Sequence, residues 1–319
     1  MNYPNNYKKY PNNIYESKSI VINGRIYKVY KASFNSLYDI YSFLKSDPKT
    51  NDYVFPILHS ETNEVEFSGI SYNLALEELM SPPRSGFKNF LTLTNILKDE
   101  ALDYVQEYIE VKSPGGGYID IPSYVSGNPF CFRTSRKVLT PKFIRMNIAL
   151  NYNCGTSKKQ VLNRALIIAA LVNSFEKNGY MVDLNTFEVS EEGNEIVNIN
   201  VNIKNGQETL NKAALYKCLC YVEFFRRLMF RVKESLDVKN DWGDGYGRPS
   251  SEKMVRAVLK LDENDIFIDQ PSKMGIYGED IGKDFENVIR RLNIEEKLNL
   301  ESSKENLRKD VKRLEKTIK

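Results

Sequence analysis

A single histidine, a single tryptophan and four cysteines in 319 residues remove several kinds of chemistry at the outset. His59 is the only side chain that could act as the base of a Ser-His or Cys-His machine. It stands in Phe55-Pro56-Ile57-Leu58-His59-Ser60 at the end of an expected strand, where a structural histidine is the simpler reading. Cys131, Cys154, Cys218 and Cys220 include no Cys-x-x-Cys pair, so no zinc ribbon is available, and core thiols in a reducing compartment follow. No stretch approaches the roughly 20 apolar residues that span a bilayer. The opening Asn, Tyr, Pro and Lys residues lack the apolar run of a signal peptide, so residence in the cytoplasm is expected. Neither sign of charge dominates: 45 Lys and Arg face 42 Asp and Glu, a net of +3, so no global polycation is offered to a nucleic acid.

What is present suffices for a packed interior, with 41% hydrophobic residues, 16 Phe and 20 Tyr, and the length allows two domains. Residues 1–18 repeat Tyr-Pro-Asn-Asn and hold almost no aliphatic side chains, which predicts a flexible arm, either inert or a strap that orders on a partner. The first 31 residues carry six Lys and Arg against Glu16 alone. Residues 19–110 read as a small α+β module. It is opened by a hairpin around Asn23-Gly24 and continued by helices at 36–45, 73–80 and about 91–108. Residues 111–142 read as a connector. Its Gly115-Gly116-Gly117 lacks the following Lys-Ser/Thr of a phosphate loop, so a turn is favoured over a nucleotide site.

Residues 143–293 hold the most legible architecture. A strand at 143–150, the loop Asn151-Tyr152-Asn153-Cys154-Gly155, a helix at 158–178 capped by Thr156 or Ser157, Gly179 and a strand at 181–187 make a βαβ-sized unit. Val197, Ile199, Val201 and Ile203 alternate with Asn198, Asn200 and Asn202, giving a strand at 195–203 with one polar face, either solvated at an edge or reading a ligand. The short turn before it points to an antiparallel course. One long helix is expected over about 208–235, carrying Arg226, Arg227, Arg231 and Lys233 as a possible phosphate-binding patch. Then come a Gly-rich loop with Trp242, Tyr246 and Arg248, a strand at 265–269 and a helix at about 279–292. The expected class is α/β: a three-layer, Rossmann-like sheet with helix 158–178 on one face, a smaller N-terminal module, and a charged C-terminal helix at 294–319. Leu300, Leu307 and Leu314 repeat every seven residues in that last helix and suit self-association.

The segment Phe143–Phe187 resembles the opening of a von Willebrand factor A-type domain, in which a strand leads into a metal-binding Asp-x-Ser-x-Ser loop, a long helix, a glycine and a strand ending in Phe. Here Asn151, Asn153 and Gly155 replace the acid and hydroxyls, so the resemblance implies a degenerate domain with no metal and no cofactor. From about residue 30 the chain also resembles an uncharacterised family of phages and mobile elements. The resembling pieces are Phe67-Ser68-Gly69-Ile70-Ser71, Ala75-Leu76-Glu77-Glu78-Leu79, Val125-Ser126-Gly127-Asn128-Pro129-Phe130-Cys131, the 161–184 helix and strand, Phe225-Arg226-Arg227-Leu228 and Gly245-Tyr246-Gly247-Arg248-Pro249. That resemblance implies origin, including a virion-associated location, and no activity.

The functional expectation is a non-catalytic binding or assembly protein whose partner, another protein, meets Trp242, Tyr246 and Arg248 beside loops 151–157 and 270–279. The alternatives are a nucleic-acid binder using the basic helix and arm, and a metal-dependent phosphodiesterase built from Asp120, Asp183, Asp241, Asp244, Asp265 and Asp269.

Overall fold

The computed structural model describes residues 15–46, 70–84, 86–100, 108–137, 142–153, 155–177, 179–236 and 250–294. Strands β1 (Tyr15–Ile22) and β2 (Arg25–Phe34) form the expected hairpin. Its two-residue turn places Asn23 at φ 52° and Gly24 at φ 77°, the pair of left-handed conformations that such turns demand and that Asn-Gly supplies. Tyr15–Lys18 therefore belong to a strand and not to the arm; residues 1–14 lie outside the described residues. Helices α1 (Leu37–Lys45) and α2 (Tyr72–Met80) start at Ser36 and Ser71, whose hydroxyls accept from the amides three residues on. Helix α3 covers Gly86–Glu100.

The hairpin does not open a separate module. It joins β6 (Lys142–Ala149), β7 (Tyr180–Glu192), β8 (Glu195–Lys204) and β9 (Ile266–Ile268) in one six-stranded sheet of order β1-β2-β8-β7-β6-β9. Strand β2 runs parallel to β8, with Lys28 beside Glu195 and Phe34 beside Val201. Strands β6, β7 and β9 are mutually parallel through β6, and β8 is antiparallel to β7, as its short turn requires. Strand β8 is thus central, which overturns the edge reading of its polar face. Asn198 is buried, and the amides bond one another, Asn200 to Asn198 at 2.8 Å and Asn202 to Asn185 at 3.1 Å.

The larger core lies between this sheet and α5 (Lys158–Lys177), whose Ala165–Val172 run is buried throughout. The same core takes in residues of α1, α2, α3, α6 (Lys212–Cys220), α7 (Met229–Glu234) and α9 (Ile281–Leu292). On the opposite face α8 (Glu252–Leu259) sets Met254, Val255 and Val258 against Ile22, Val29, Val189, Ile196 and Phe267. The long helix expected over 208–235 is broken. Tyr221 is extended at φ −85°, ψ 111°, and a π-helical turn at Phe224–Leu228 leads into α7. The break is held from outside: the Tyr221 hydroxyl accepts from the Arg84 amide at 2.9 Å, and Glu223 pairs with the Arg84 guanidinium at 2.6 Å.

The connector is also structured. Strands β3 (Tyr108–Ser113), β4 (Tyr118–Ile119) and β5 (Phe132–Lys137) form a second sheet of order β3-β5-β4, with the short helix α4 (Ile121–Val125) between β4 and β5. The glycine triplet links β3 to β4. Gly117, at φ +75°, lies so close to the Arg133 carbonyl that no side chain fits.

Candidate functional site

Two places in the molecule carry features that packing alone does not require. The first is the end of the large sheet where the parallel strands β6 and β9 finish beside Phe187 of β7. Ser157 and Gln160 cap α5 reciprocally there, the Ser157 hydroxyl accepting the Gln160 amide at 3.2 Å and the Gln160 side chain accepting the Ser157 amide at 2.8 Å. The loops after β6 and β9 are stitched to each other and to α5. The Asn153 amide donates to Gln270 Oε1 at 3.3 Å, Gln160 Nε2 to the Ile276 carbonyl at 3.0 Å, and Lys159 Nζ to the Glu279 carbonyl at 3.1 Å. The buried carboxylate of Asp284 accepts from Asn163 Nδ2 at 2.8 Å, the Tyr277 amide at 2.8 Å and the Gly278 amide at 3.0 Å. Asp284→Ala is expected to orphan all three donors and release the 276–280 loop. Hydrogen exchange at those amides should rise at least tenfold, while amides of β7 and β8 stay protected.

Inside this end sits an unusual set of polar groups. Arg164 is fully buried; its guanidinium donates to the Tyr152 hydroxyl at 2.8 Å, to the Ala149 carbonyl at 2.8 Å and to the Ile268 carbonyl at 3.0 Å, while Nε has no partner. It therefore ties the last carbonyls of β6 and β9 together. Burial raises the Tyr152 hydroxyl above its ordinary pKa against the opposing pull of Arg164, so it stays neutral. Next to it, Asn151 Oδ1 accepts the Val189 amide at 3.3 Å, which gives this loop residue a backbone role. On the α5 side of β7, Lys233 Nζ lies 2.8 Å from Ser190 Oγ and 3.3 Å from Glu188 Oε1, and Ser190 Oγ lies 3.2 Å from Glu188 Oε1. A serine beside a lysine is the geometry of a Ser-Lys nucleophile pair. Here a carboxylate shares the lysine and all three side chains are enclosed, which makes the trio an internal brace.

This corrects the basic-patch reading. Lys233 and Arg227 are buried at 1% and 2% exposure, Arg226 and Arg231 are half-buried, and the four present no common exposed face to a phosphate. Trp242, Tyr246 and Arg248 lie outside the described residues, as do Asp241, Asp244, His59 and Cys154. The residues flanking 237–249 are anchored: Leu236 is buried and Ser250 Oγ donates to the Val189 carbonyl at 3.1 Å, beside Asn151. The described aspartates of the phosphodiesterase reading do not converge. Asp120 pairs with Arg133, Asp183 accepts the Gly206 amide, Asp265 pairs with Arg145, and Asp269 with Lys273. Asp265 and Asp269 do line one cleft of about 130 Å³ at the β9 edge, but Arg256 and Lys273 stand there with them, each ion-paired. Among the described residues no group of three or more His, Cys, Asp or Glu side chains comes together as a metal site, and no helix is long and apolar enough to cross a membrane.

The second place was missed by the sequence reading. Between residues 118 and 130 the small sheet and α4 expose Tyr118, Ile119, Ile121, Tyr124, Val125 and Phe130, each between 47% and 78%. Ile121, Tyr124 and Val125 fall at i, i+3 and i+4 and share one face of α4. On the inner side the Ser123 hydroxyl donates to Asp120 at 3.1 Å, and Arg133 bridges Asp120 at 3.1 Å and Glu110 at 3.0 Å. Arg133 holds the Asp120 carboxyl below its ordinary pKa. Among the described side chains from β3 to β5 only Ser123 of α4 and Cys131 just before β5 are buried, so the sheet has almost no core of its own. The available signal was compositional: five large apolar residues between Ile119 and Phe130 in a stretch with neither strand alternation nor a helix-length repeat.

A family model described as a domain of unknown function (DUF7192) matches residues 9–296. No curated protein and no solved structure matches the chain.

Proposed function

Starting from the fact that the chain belongs to the DUF7192 family, whose description carries no activity, we propose from its geometry that it is a non-catalytic binding or assembly protein. The observation that carries this reading is the apolar face of α4, where Ile121, Tyr124 and Val125 are exposed together. Scattered single apolar residues are ordinary on a protein surface, whereas three large ones together on one helix face, with Tyr118, Ile119 and Phe130 also exposed nearby in the sequence, suit a surface covered by another protein. Tyr, which the face contains, is a residue type enriched in interface cores. The described polar groups at the carboxyl end of the sheet support the same side, because their donors and acceptors are largely consumed by the fold.

In this reading the large sheet is a degenerate A-type-like scaffold of a phage or mobile element. What supports the A-type part is the run of β6, loop, α5, Gly179 and parallel β7 passing through Phe187, together with the use of Asn151 for a backbone bond. What supports the origin is the set of short resembling pieces, one of which, Val125 to Cys131, overlaps the apolar face.

The test is affinity capture of the tagged chain from its native cell, with partners identified by mass spectrometry. Ile121→Asp and Val125→Asp should each weaken capture about tenfold or more, as truncations at the centre of an interface do. Both side chains are exposed, so the melting temperature should stay within about 1–2 °C of wild type. Capture unaffected by either substitution would sink the reading.

A further inference from the structure

We propose that the open edge of β1 receives an extended segment of a partner protein, one whose residues alternate acidic and apolar, added to the large sheet as a further strand. This contact is separate from the α4 face, and it gives the basic N-terminal stretch a role.

Three observations lead there. The first is free backbone. In a two-residue hairpin the residues flanking the turn, here Ile22 and Arg25, exchange both main-chain bonds, and every second pair beyond them does the same. The amides and carbonyls of Ser17, Ser19 and Val21 therefore point away from β2, and all three residues are exposed. Strand β1 ends the sheet, and among the described residues no strand lies beyond it. The second is that most devices that blunt an edge are missing. All eight residues of β1 pair with β2 without a register shift and none is proline, whereas β9 at the other edge has only three residues. Charge is the remaining device, and here it is mostly positive. The third is the placement of that charge. On the α8 side of the hairpin Glu16 lies 3.1 Å from Lys18 and 3.9 Å from Lys31, and these two with Lys260 at the end of α8 hold its carboxyl below the ordinary pKa. Three ammoniums around one carboxylate favour an acidic strand and repel a second copy that carries the same lysines. On the other side Val21 and Ile26 stand directly opposite each other, 68% and 64% exposed. Successive residues of a strand face opposite sides, so acids that meet Lys18 and apolar residues that meet Val21 must alternate in the segment that docks.

The test selects short random peptides, displayed on phage, against the immobilised full chain. Selected peptides should carry Asp or Glu at alternate positions, with apolar residues between them and no proline. A synthetic copy of one of them should slow hydrogen exchange at the Ser17, Ser19 and Val21 amides about tenfold or more. Lys18→Glu combined with Lys31→Glu should weaken its binding about tenfold or more, and the milder Lys18→Gln with Lys31→Gln should weaken it in the same direction with unchanged circular dichroism and melting. Ser19→Pro removes one outward amide and leaves the ladder to β2 in place, and it should weaken binding by a similar factor. Ile121→Asp should leave the peptide's affinity where it was, so the fate of the α4 face and of this edge are read separately. A selection that yields no peptide or no acidic preference overturns the proposal, as does binding that leaves those three amides unprotected or ignores Ser19→Pro. Slow exchange of the same amides in the free chain would mean that residues 1–14 or a second copy already covers the edge, and would also overturn it. So would a duplex oligonucleotide that binds through Lys18 and Lys31 while no peptide does.

Discussion

Arg164→Leu should cost about 3 kcal/mol, because the Ala149 and Ile268 carbonyls and the Tyr152 hydroxyl each lose a donor in a place water does not reach. Relief from burying a guanidinium with no carboxylate offsets part of the loss, which is why the figure stays below the sum of three orphaned groups. In a chain of this size that stability change lowers the melting temperature by roughly 4–5 °C. Arg164→Lys should recover little of it. A single ammonium lacks the planar fork that reaches two carbonyls and a hydroxyl together, although its charge is the same. Tyr152→Phe removes one acceptor, and combined with Arg164→Leu it should cost less than the two changes added, since both delete the same bond. Urea unfolding of the four variants measures this. An Arg164→Leu protein within about 0.5 kcal/mol of wild type would mean that the carbonyls find other donors.

Lys233→Met should be as damaging and should show its cause through pH. It leaves Glu188, 2% exposed, with the Ser190 hydroxyl as its donor, and breaking a buried pair costs about 3–5 kcal/mol. Burial already pushes the Glu188 pKa above its ordinary 4.5, and Lys233 pulls it back down. A carboxyl whose folded pKa is raised binds its proton more tightly in the folded state. Its contribution to stability is complete below the ordinary value and is lost as pH climbs through the folded one. Removing Lys233 removes the downward pull, so the folded pKa moves further up and the penalty grows across that range. Lys233→Met should therefore look mildest at about pH 4–5 and worst near neutrality, and Lys233→Met with Glu188→Leu should regain much of the loss at neutral pH. Equal destabilisation at both pH values would show that lost packing of the lysine stem, and not the stranded carboxyl, is responsible.

Both predictions concern side chains whose place the sequence misrepresents for a physical reason. Arg164 stands among Val161, Leu162, Ala165, Leu166 and Ile168, and a charge within an apolar run reads as the polar flank of an amphipathic helix. It is instead a long buried donor that reaches the carbonyls at the sheet's end. Glu188 and Ser190 fall past the expected strand end at 187, in what reads as a turn, yet the strand continues through them and the face they sit on is the one α5 and α7 cover. Lys233 and the arginines before it read as a helix-end patch for phosphate, because sequence spacing shows which residues share a turn and not which side the core lies on. The stretch at 118–130 was passed over for the converse reason: apolar residues are expected inside, and nothing local tells that these are outside.

What the sequence determined by itself is what depends on a few neighbouring residues. Asn23-Gly24 dictates the two-residue turn, Ser36, Ser71 and Ser157 start helices, Gly179 ends one at φ 77°, and the short link from β7 forces β8 to return antiparallel. These follow from backbone sterics and hydrogen-bond reach within a handful of residues. Tertiary structure decided the rest. It placed β2 beside β8, more than a hundred and fifty residues away, and so merged the expected N-terminal module into the main sheet. It broke the 208–235 helix at Tyr221 through Arg84, and it turned Lys233 inward and Val125 outward. Strand neighbours and burial are chosen by apolar area summed over segments far apart in the chain, and no local spacing encodes that sum.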